Sequence, residues 1–219
     1  MSGNSEPFLA WPGWKHLRFA GIVSLAGTML FVCVYGGCDA ITAHRTARVR
    51  VHFDSELAIP FVPEAVLAYM SIYLLFVAGP FVLRGRKEFL ALALALNLAI
   101  VVSGICFLLF PAQLAFPAPD RLGAFPGLFR FADWLNLTYN LVPSLHVALS
   151  VGCVAAFAQR ASVVGKILLW LWAVAIAVST VLTHQHHVVD AVSGFALGLG
   201  VAVLARAVLR RGAARKASA

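Results

Sequence analysis

Apolar residues run along this chain in long, unbroken stretches and not in alternation with polar ones. The stretches cover residues 17–37, 60–83, 89–110, 143–159, 164–183 and 187–209. A helix needs about 20 consecutive apolar residues to cross the hydrocarbon core of a bilayer. Continuous runs are typical of membrane helices, whereas the strands of membrane barrels alternate between apolar and polar positions. The pattern therefore predicts a bundle of six transmembrane helices.

Composition supports the same fold class. Of the 219 residues, 61% are hydrophobic and 12% are charged, whereas soluble domains are nearer to half apolar and a quarter charged. We expect an all-α polytopic membrane protein with one domain, 1–219, and no single soluble core. The first apolar run is too long for the core of a signal peptide and lacks a small-residue cleavage site, so we expect it to be retained. None of the four cysteines forms a Cys-x-x-Cys pair, which gives no sign of a disulfide framework or a zinc knuckle.

Charge predicts the orientation of this bundle. Twelve of the 17 Lys and Arg residues lie at the termini or in the loops on the terminal side. The other side carries five: Arg45, Arg48, Arg50, Arg121 and Arg130. The positive-inside rule then places both termini in the cytoplasm, and basic clusters beside spans indicate anchoring to anionic lipid and not binding of nucleic acid. In a bacterium, this would be an inner-membrane protein.

The longest predicted loop on the non-cytoplasmic side, residues 111–142, holds four of the ten prolines and several aromatic residues. That composition predicts an ordered cap at the membrane interface. Trp134 and Tyr139 are expected at the depth of the lipid headgroups. Within the sixth span, Gly194 and Gly198 are four residues apart, a spacing that permits close packing between helices.

Three ionisable residues come together in this topology on the non-cytoplasmic side. His146 falls in the first turn of the fourth span, after Pro143 at a favourable helix-start position. Asp190 follows His186 by four residues, so the two are expected on one face of the sixth helix. A carboxylate there would fix the imidazole tautomer and leave the other nitrogen as a nucleophile. His146 could donate a proton to a leaving oxygen, an arrangement that suits attack on phosphorus without a metal or other cofactor.

The neighbouring histidines admit other interpretations. His187 is expected to face the headgroups. His184 is either a cap at the carboxyl end of the fifth helix or a phosphate contact. A different class of function, metal binding or metal transport, would use nitrogen and oxygen ligands from the same region. Its candidate ligands are His146, His184, His186, His187 and Asp190.

Two segments resemble the second and third signature motifs of the type 2 phosphatidic acid phosphatase superfamily. They are "NLVPSLHVALS" (140–150) and "STVLTHQHHVVDAVSG" (179–194). The match is closest to the Pro-Ser-Leu-His branch, which includes inositol phosphorylceramide synthases, and it covers roughly residues 58–200. The positions that match are Pro143, Ser144 and His146 of the second motif, and Ser179, His186 and Asp190 of the third.

The resemblance implies a metal-independent lipid phosphatase or phosphotransferase with no cofactor. His186 would form a phosphohistidine, Asp190 would orient it, and His146 would protonate the departing alcohol. Ser144 and Ser179 would lie at the substrate. The substrate would be a lipid phosphate of the phosphatidate, phosphoinositide, polyprenyl or sphingolipid type. Water or an alcohol would accept the phosphoryl group, so hydrolysis and transfer both remain open, as does the oligomeric state.

The sequence departs from the family at three cationic positions. The Arg-Pro of the first motif falls on Phe116-Pro117, its lysine on Leu109, and the arginine of the third motif on Thr180. A phosphoryl group in transfer requires positive charge or fixed donors around its oxygens.

The residues expected to replace these cations are Arg121, Arg130 and His184, together with backbone amides at the start of the fourth helix. Arg121 assisted by His184 is the favoured combination. The absence of the family's cations also leaves open a protein that binds lipid but has no catalytic activity.

Overall fold

The computed structural model describes residues 7–217, with side chains as far as Val208. Within this range the chain forms eight α-helices and no β-strand. The helices are α1 (Trp14–Ala43), α2 (Val66–Met70), α3 (Ile72–Val82), α4 (Arg86–Leu109), α5 (Pro126–Leu135), α6 (Leu145–Phe157), α7 (Val163–Leu182) and α8 (Val188–Ala217). Short 3-10 helices at Asp54–Ala58 and Pro63–Ala65 precede α2. The all-helical fold class is confirmed.

Five segments of the described chain are long and apolar enough to cross a membrane. They are Trp14–Ala43, Pro63–Val82, Arg86–Leu109, Val163–Leu182 and Val188–Val208. Many of their apolar side chains face outward, as a lipid environment requires. In α1, only 6% of the most apolar stretch is buried. These helices support the assignment to a membrane.

The fourth predicted span, 143–159, forms the shorter helix α6. Its 13 residues rise about 20 Å, less than the roughly 30 Å of a bilayer core. Eleven of the 13 are buried, because α6 is packed among α3, α4, α7 and α8. Its sequence is apolar because protein surrounds it.

The packing of α6 on α8 depends on two glycines. A Cβ atom at Gly194 would lie 2.4 Å from the Ser144 carbonyl oxygen, and one at Gly198 would lie 2.6 Å from that of Ala148. The backbones of the two helices therefore approach each other directly, which confirms the close packing predicted from the Gly194 and Gly198 spacing.

One predicted boundary was wrong, and one predicted span contains an interruption that was not predicted. Helix α1 continues to Ala43 instead of ending at residue 37, because its last turns pack on α4, where the Cys38 thiol donates to the Gly104 carbonyl at 3.4 Å. The second span is interrupted at Ser71, between α2 and α3. The Ser71 hydroxyl donates to the Ala68 carbonyl and accepts from Trp172 Nε1 at 2.7 Å, which fixes the interruption against α7.

The 111–142 segment, which we call the cap segment, contains α5. Phe129 and Ala132 of α5 pack with Val66 and Tyr69 of α2. Trp134 is 75% exposed, whereas Tyr139 is half-buried beneath the Arg48 guanidinium, which lies 4.2 Å from the ring centroid.

Candidate functional site

A cavity of about 450 Å³ runs between α1, α3, α4, α5 and α6, within the size range of small-molecule sites. His146 and His186 both line it, although 40 residues separate them in sequence. Helix α6 supplies the first from its first turn, and the turn before α8 supplies the second. The structure therefore brings these two imidazoles to one cavity.

His186 is braced by Asp190, but not across one face of a helix as predicted. Because α8 begins at Val188, His186 lies in the preceding turn, and Asp190 lies in the first turn of the helix. Asp190 Oδ2 is 3.4 Å from His186 Nδ1 and accepts from the His187 backbone N–H at 2.8 Å. The first distance is longer than an ordinary hydrogen bond, whereas the second caps α8. With Nδ1 directed at the carboxylate, Nε2 is the nitrogen available for chemistry.

His146 is fixed against Tyr69. Its Nε2 lies 2.8 Å from the Tyr69 carbonyl oxygen, and the two rings stack with centroids 3.9 Å apart. A carbonyl can only accept, so Nε2 carries the proton and donates. Pro143 precedes Ser144, which is the N-cap of α6; the prediction that Pro143 begins the helix was therefore wrong by two residues.

Neutral polar groups surround the histidine end of the cavity. Tyr35, Tyr69, Asn136 and Asn140 all line it. The Tyr69 hydroxyl donates to Asn136 Oδ1 at 2.8 Å, and Asn140 Nδ2 donates to the Tyr35 carbonyl at 2.6 Å. The Tyr35 hydroxyl accepts from the Leu137 N–H at 3.4 Å, a contact that does not use its own proton. None of these four residues was predicted from the sequence, although Asn140 lies three residues before Pro143.

No lysine or arginine lines this cavity in the part of the chain that the structure describes. Arg121 and Arg130 are exposed on the cap segment, so the structure does not bring them together with the two histidines. Ser144 and Ser179 are buried and also lie outside the lining. Ser144 Oγ accepts from the Val147 N–H at the start of α6, and Ser179 Oγ donates to the Ile176 carbonyl. Both hydroxyls serve the helices that carry them.

His184 likewise does not line the cavity. Its φ of 54° places it in the left-handed conformation just after α7, where helices commonly end in glycine. Its Nε2 lies 3.0 Å from the Ile59 carbonyl and donates to it, and its ring stacks on Phe116 with centroids 3.9 Å apart. The side chain thus binds the loop before α2.

The expectation that His187 faces the headgroups was wrong, because this residue is fully buried. Its Nδ1 lies 3.1 Å from Glu56 Oε2, and its Nε2 accepts from the Ala115 N–H at 3.1 Å. The same Glu56 oxygen accepts from the Val188 N–H at 3.1 Å. Glu56 is itself only 4% exposed, so an acid from the loop between α1 and α2 caps α8.

Burial is the main cause that lowers the pKa of His187, while the nearby Asp190 and Glu56 carboxylates act in the opposite direction. The hydrogen bonds agree with a neutral ring, since one nitrogen donates and the other accepts.

Four stacked rings join three segments that lie outside the helices. His52 stacks on His187 with centroids 5.0 Å apart, His187 on Phe116 at 4.7 Å, and Phe116 on His184. We call these four residues the ring column. Phe116, which the resemblance aligns with an arginine, is therefore a packing residue. Leu109, which the resemblance aligns with a lysine, is 64% exposed.

Metal binding receives no geometric support from the described residues, because no three His, Cys, Asp or Glu side chains among them converge with the geometry of a metal site.

Comparison of this chain with protein-family models, with curated proteins and with solved structures finds no match.

Proposed function

We propose that this protein is a metal-independent membrane lipid phosphatase or phosphotransferase that acts through a phosphohistidine. The observation that carries the proposal is that His146 and His186 line one cavity, with the Asp190 carboxylate 3.4 Å from the second imidazole. Buried ionisable groups within a membrane protein are costly and are typical of functional sites.

In the proposed reaction, Nε2 of His186 attacks the phosphorus atom of the lipid phosphate. The bond between phosphorus and the lipid oxygen breaks, and that oxygen takes a proton from His146. Water or an alcohol then attacks the phosphorus atom and gives its proton back to His146, while the phosphorus–nitrogen bond breaks and its electron pair returns to His186, which releases inorganic phosphate or a new ester. Asp190 stabilises the positive charge that develops on His186.

His146 must release the Tyr69 carbonyl, or bind a second proton at Nδ1, before it can protonate the leaving oxygen. In the present arrangement its single proton is engaged at 2.8 Å. Catalytic hydrogen bonds often form their final geometry only when substrate is bound, and a phosphate dianion beside His146 would favour the doubly protonated ring.

Neutral donors would replace the missing cations. The Tyr35 hydroxyl has an unassigned proton at the histidine end of the cavity. The amides of Leu145 and His146 lie in the first turn of α6, where helix N–H groups lack intrahelical acceptors and the dipole favours an anion. Such donors, fixed in a site of low polarity, can stabilise phosphoryl oxygens.

The shape of the cavity fits a lipid that enters from the bilayer. Its lining on α1 runs from Val23 to Tyr35, a rise of about 18 Å. The Tyr35 end is polar, and the Val23 end is lined mainly by apolar residues such as Phe89 and Leu92. A phosphate would occupy the polar end and an acyl chain the rest.

We also propose that both termini are cytoplasmic and that the histidine end faces outward, toward the periplasm if the host is a bacterium. The supporting feature is the charge distribution: the loop between α3 and α4 is basic, and it lies at the opposite end of the bundle from His146.

The test is turnover of phosphatidate by the purified protein in detergent, with and without alcohol acceptors. His186→Ala should abolish release of phosphate, and His146→Ala should slow it by roughly 10²–10⁴-fold. His44→Ala, which removes an exposed histidine, is the matched control. Unimpaired turnover in His186→Ala would refute the proposal, and alcohol-dependent formation of a new ester would identify a transferase.

A second candidate is a lipid-binding protein without catalytic activity, favoured by the lack of lysine and arginine in the described lining of the cavity. Its signature is saturable binding of phosphatidate with no phosphate released and no acid-labile phosphoprotein formed.

A further inference from the structure

One polar side chain lies in the middle of α4, within the apolar run "LALALNLAIVV". This residue, Asn97, lines the cavity. Among the described residues, its amide has no hydrogen-bond partner. An amide carries two N–H donors and an acceptor oxygen, and leaving such a group unpaired in an apolar environment is unfavourable. The side chain is half-buried and opens onto the cavity, so a ligand there can supply a partner.

The packing of the helices fixes the depth of this amide. A Cβ atom at Gly27 of α1 would lie 3.2 Å from Asn97 Oδ1, so glycine leaves the space that the side chain occupies. A Cβ atom at Gly152 of α6 would lie 3.1 Å from the Leu96 side chain, which sets Gly152 level with Asn97. His146 precedes Gly152 by six residues, so the amide lies about 9 Å from it along the bundle.

We propose that Asn97 donates a hydrogen bond to the carbonyl oxygen of an ester- or amide-linked acyl chain, and so selects acyl lipid phosphates over polyprenyl phosphates. This inference rests on the proposed function, which sets the phosphate at the histidines. In a diacyl phosphatidate, six bonds separate phosphorus from the farther ester carbonyl. An extended chain covers about 7 Å over six bonds, and a hydrogen bond of about 2.9 Å spans the remainder. A polyprenyl chain offers no acceptor at this depth.

The other polar side chains on this part of the wall, Ser24 and Thr28, do not impose the same selection. Both lie on α1, where Ser and Thr hydroxyls can bond to carbonyls of their own helix. The Asn97 amide makes no such hydrogen bond to a carbonyl of its own helix. Beyond it, Phe89 and Leu92 line about 12 Å more of the cavity, which suits the hydrocarbon that follows the carbonyl.

The experiment compares the binding of an ester lipid with that of its ether analogue, which lacks the carbonyl. Dioleoyl phosphatidate, the matching dioleyl ether phosphate and a polyprenyl phosphate compete with pyrene-labelled phosphatidate for the full chain in detergent. The His186→Ala background prevents turnover during the measurement. We expect the ester to bind about fivefold more tightly than the ether, the effect of one hydrogen bond. In Asn97→Leu, that ratio should fall close to one.

Ser103→Ala is the matched control. It removes a different polar group from α4, one that is fully buried and outside the cavity lining, and it should retain the fivefold ratio. Equal affinities for ester and ether in the protein that retains Asn97, or a preference that persists in Asn97→Leu, would overturn the inference. The ester-to-ether ratio of the protein that retains Asn97 tests the inference by itself. This part of the experiment therefore does not depend on whether Asn97→Leu folds.

The two proposals fail separately. A chain with no phosphatase activity that still shows the Asn97-dependent ratio would refute the proposed function and leave the acyl site in place. Turnover that depends on His186 without any ester preference would do the reverse.

Discussion

Replacing Glu56 with alanine should destabilise the protein strongly, although this residue lies in the loop between α1 and α2. Its carboxylate accepts from His187 Nδ1 and from the Val188 backbone N–H, both at 3.1 Å. Truncation leaves both donors without this acceptor. His187 is fully buried, so water does not readily replace the lost partner there.

The magnitude follows from these two contacts. An unsatisfied buried donor costs about 1–3 kcal/mol, and loss of an anion at a helix amino terminus adds up to about 1 kcal/mol. Glu56→Ala should therefore cost several kcal/mol. For a chain of this length, each kcal/mol lowers Tm by roughly 2–4 °C, which predicts a decrease of about 5–20 °C.

The assay is thermal unfolding of the purified protein in one detergent, followed by intrinsic fluorescence. Asp54→Ala is the matched control, since Asp54 lies in the same 3-10 helix and pairs with Arg50 at the surface, where its side chain is 84% exposed. Exposed ion pairs contribute less than about 1 kcal/mol, so the control should lose at most a few degrees. If Glu56→Ala unfolds at the temperature of the control, the carboxylate does not support α8 as described.

Four further predictions concern packing, chemistry and pH. Gly198→Ala should lower the free energy of unfolding by about 1–3 kcal/mol, because the new methyl group overpacks α6 against α8. Gly200→Ala, with open space around the new methyl group, should be neutral or stabilising by up to about 1 kcal/mol. Equal melting temperatures for the two variants would contradict this packing. Vanadate should inhibit phosphate release, because it mimics the phosphoryl transition state, and an enzyme unaffected at millimolar vanadate would count against phosphohistidine chemistry. Tyr35→Phe should lower kcat by roughly tenfold or more through loss of one donor to the phosphoryl group, with unchanged kcat as the contrary result. Burial lowers the pKa of His187 in the folded protein, so the unfolded chain binds the proton more readily. Unfolding scans between pH 8 and 5 should show stability that is retained above about pH 6.5 and lost as the pH falls below it. Stability that rises toward pH 5 would refute the predicted direction of the pKa change.

The helices were largely predictable from sequence, because a long run of apolar residues indicates an apolar environment. That environment can be either lipid or the interior of the protein, however, and the apolar pattern does not distinguish the two. Helix α6 is apolar because other helices enclose it, whereas α1 is apolar because most of it faces outward. Both were predicted as spans, but α6 is too short to be one. The interruption at Ser71 was also missed, since it depends on contacts with α7.

The site was predictable where topology alone brings residues together. His146 and His186 follow from the order and direction of the spans, and Asp190 from its spacing to His186. Glu56 did not follow, because its partner His187 is 131 residues away in sequence and no local pattern connects a loop acid with a distant histidine. Without that partner, His187 resembled a surface residue. Arg121 lies outside the cavity lining because of the way the cap segment folds, and that fold was likewise not predictable from a local pattern.

The ring column has a consequence for anyone who engineers this protein. Because His52, Phe116 and the 184–187 turn share stacked faces, the three segments form one mechanical unit. A tag inserted near residue 50, or a loop grafted from another protein, would alter the support of the turn that carries His186. Chimaeras should therefore exchange all three segments as a set, and insertions are better directed to the loop between α3 and α4.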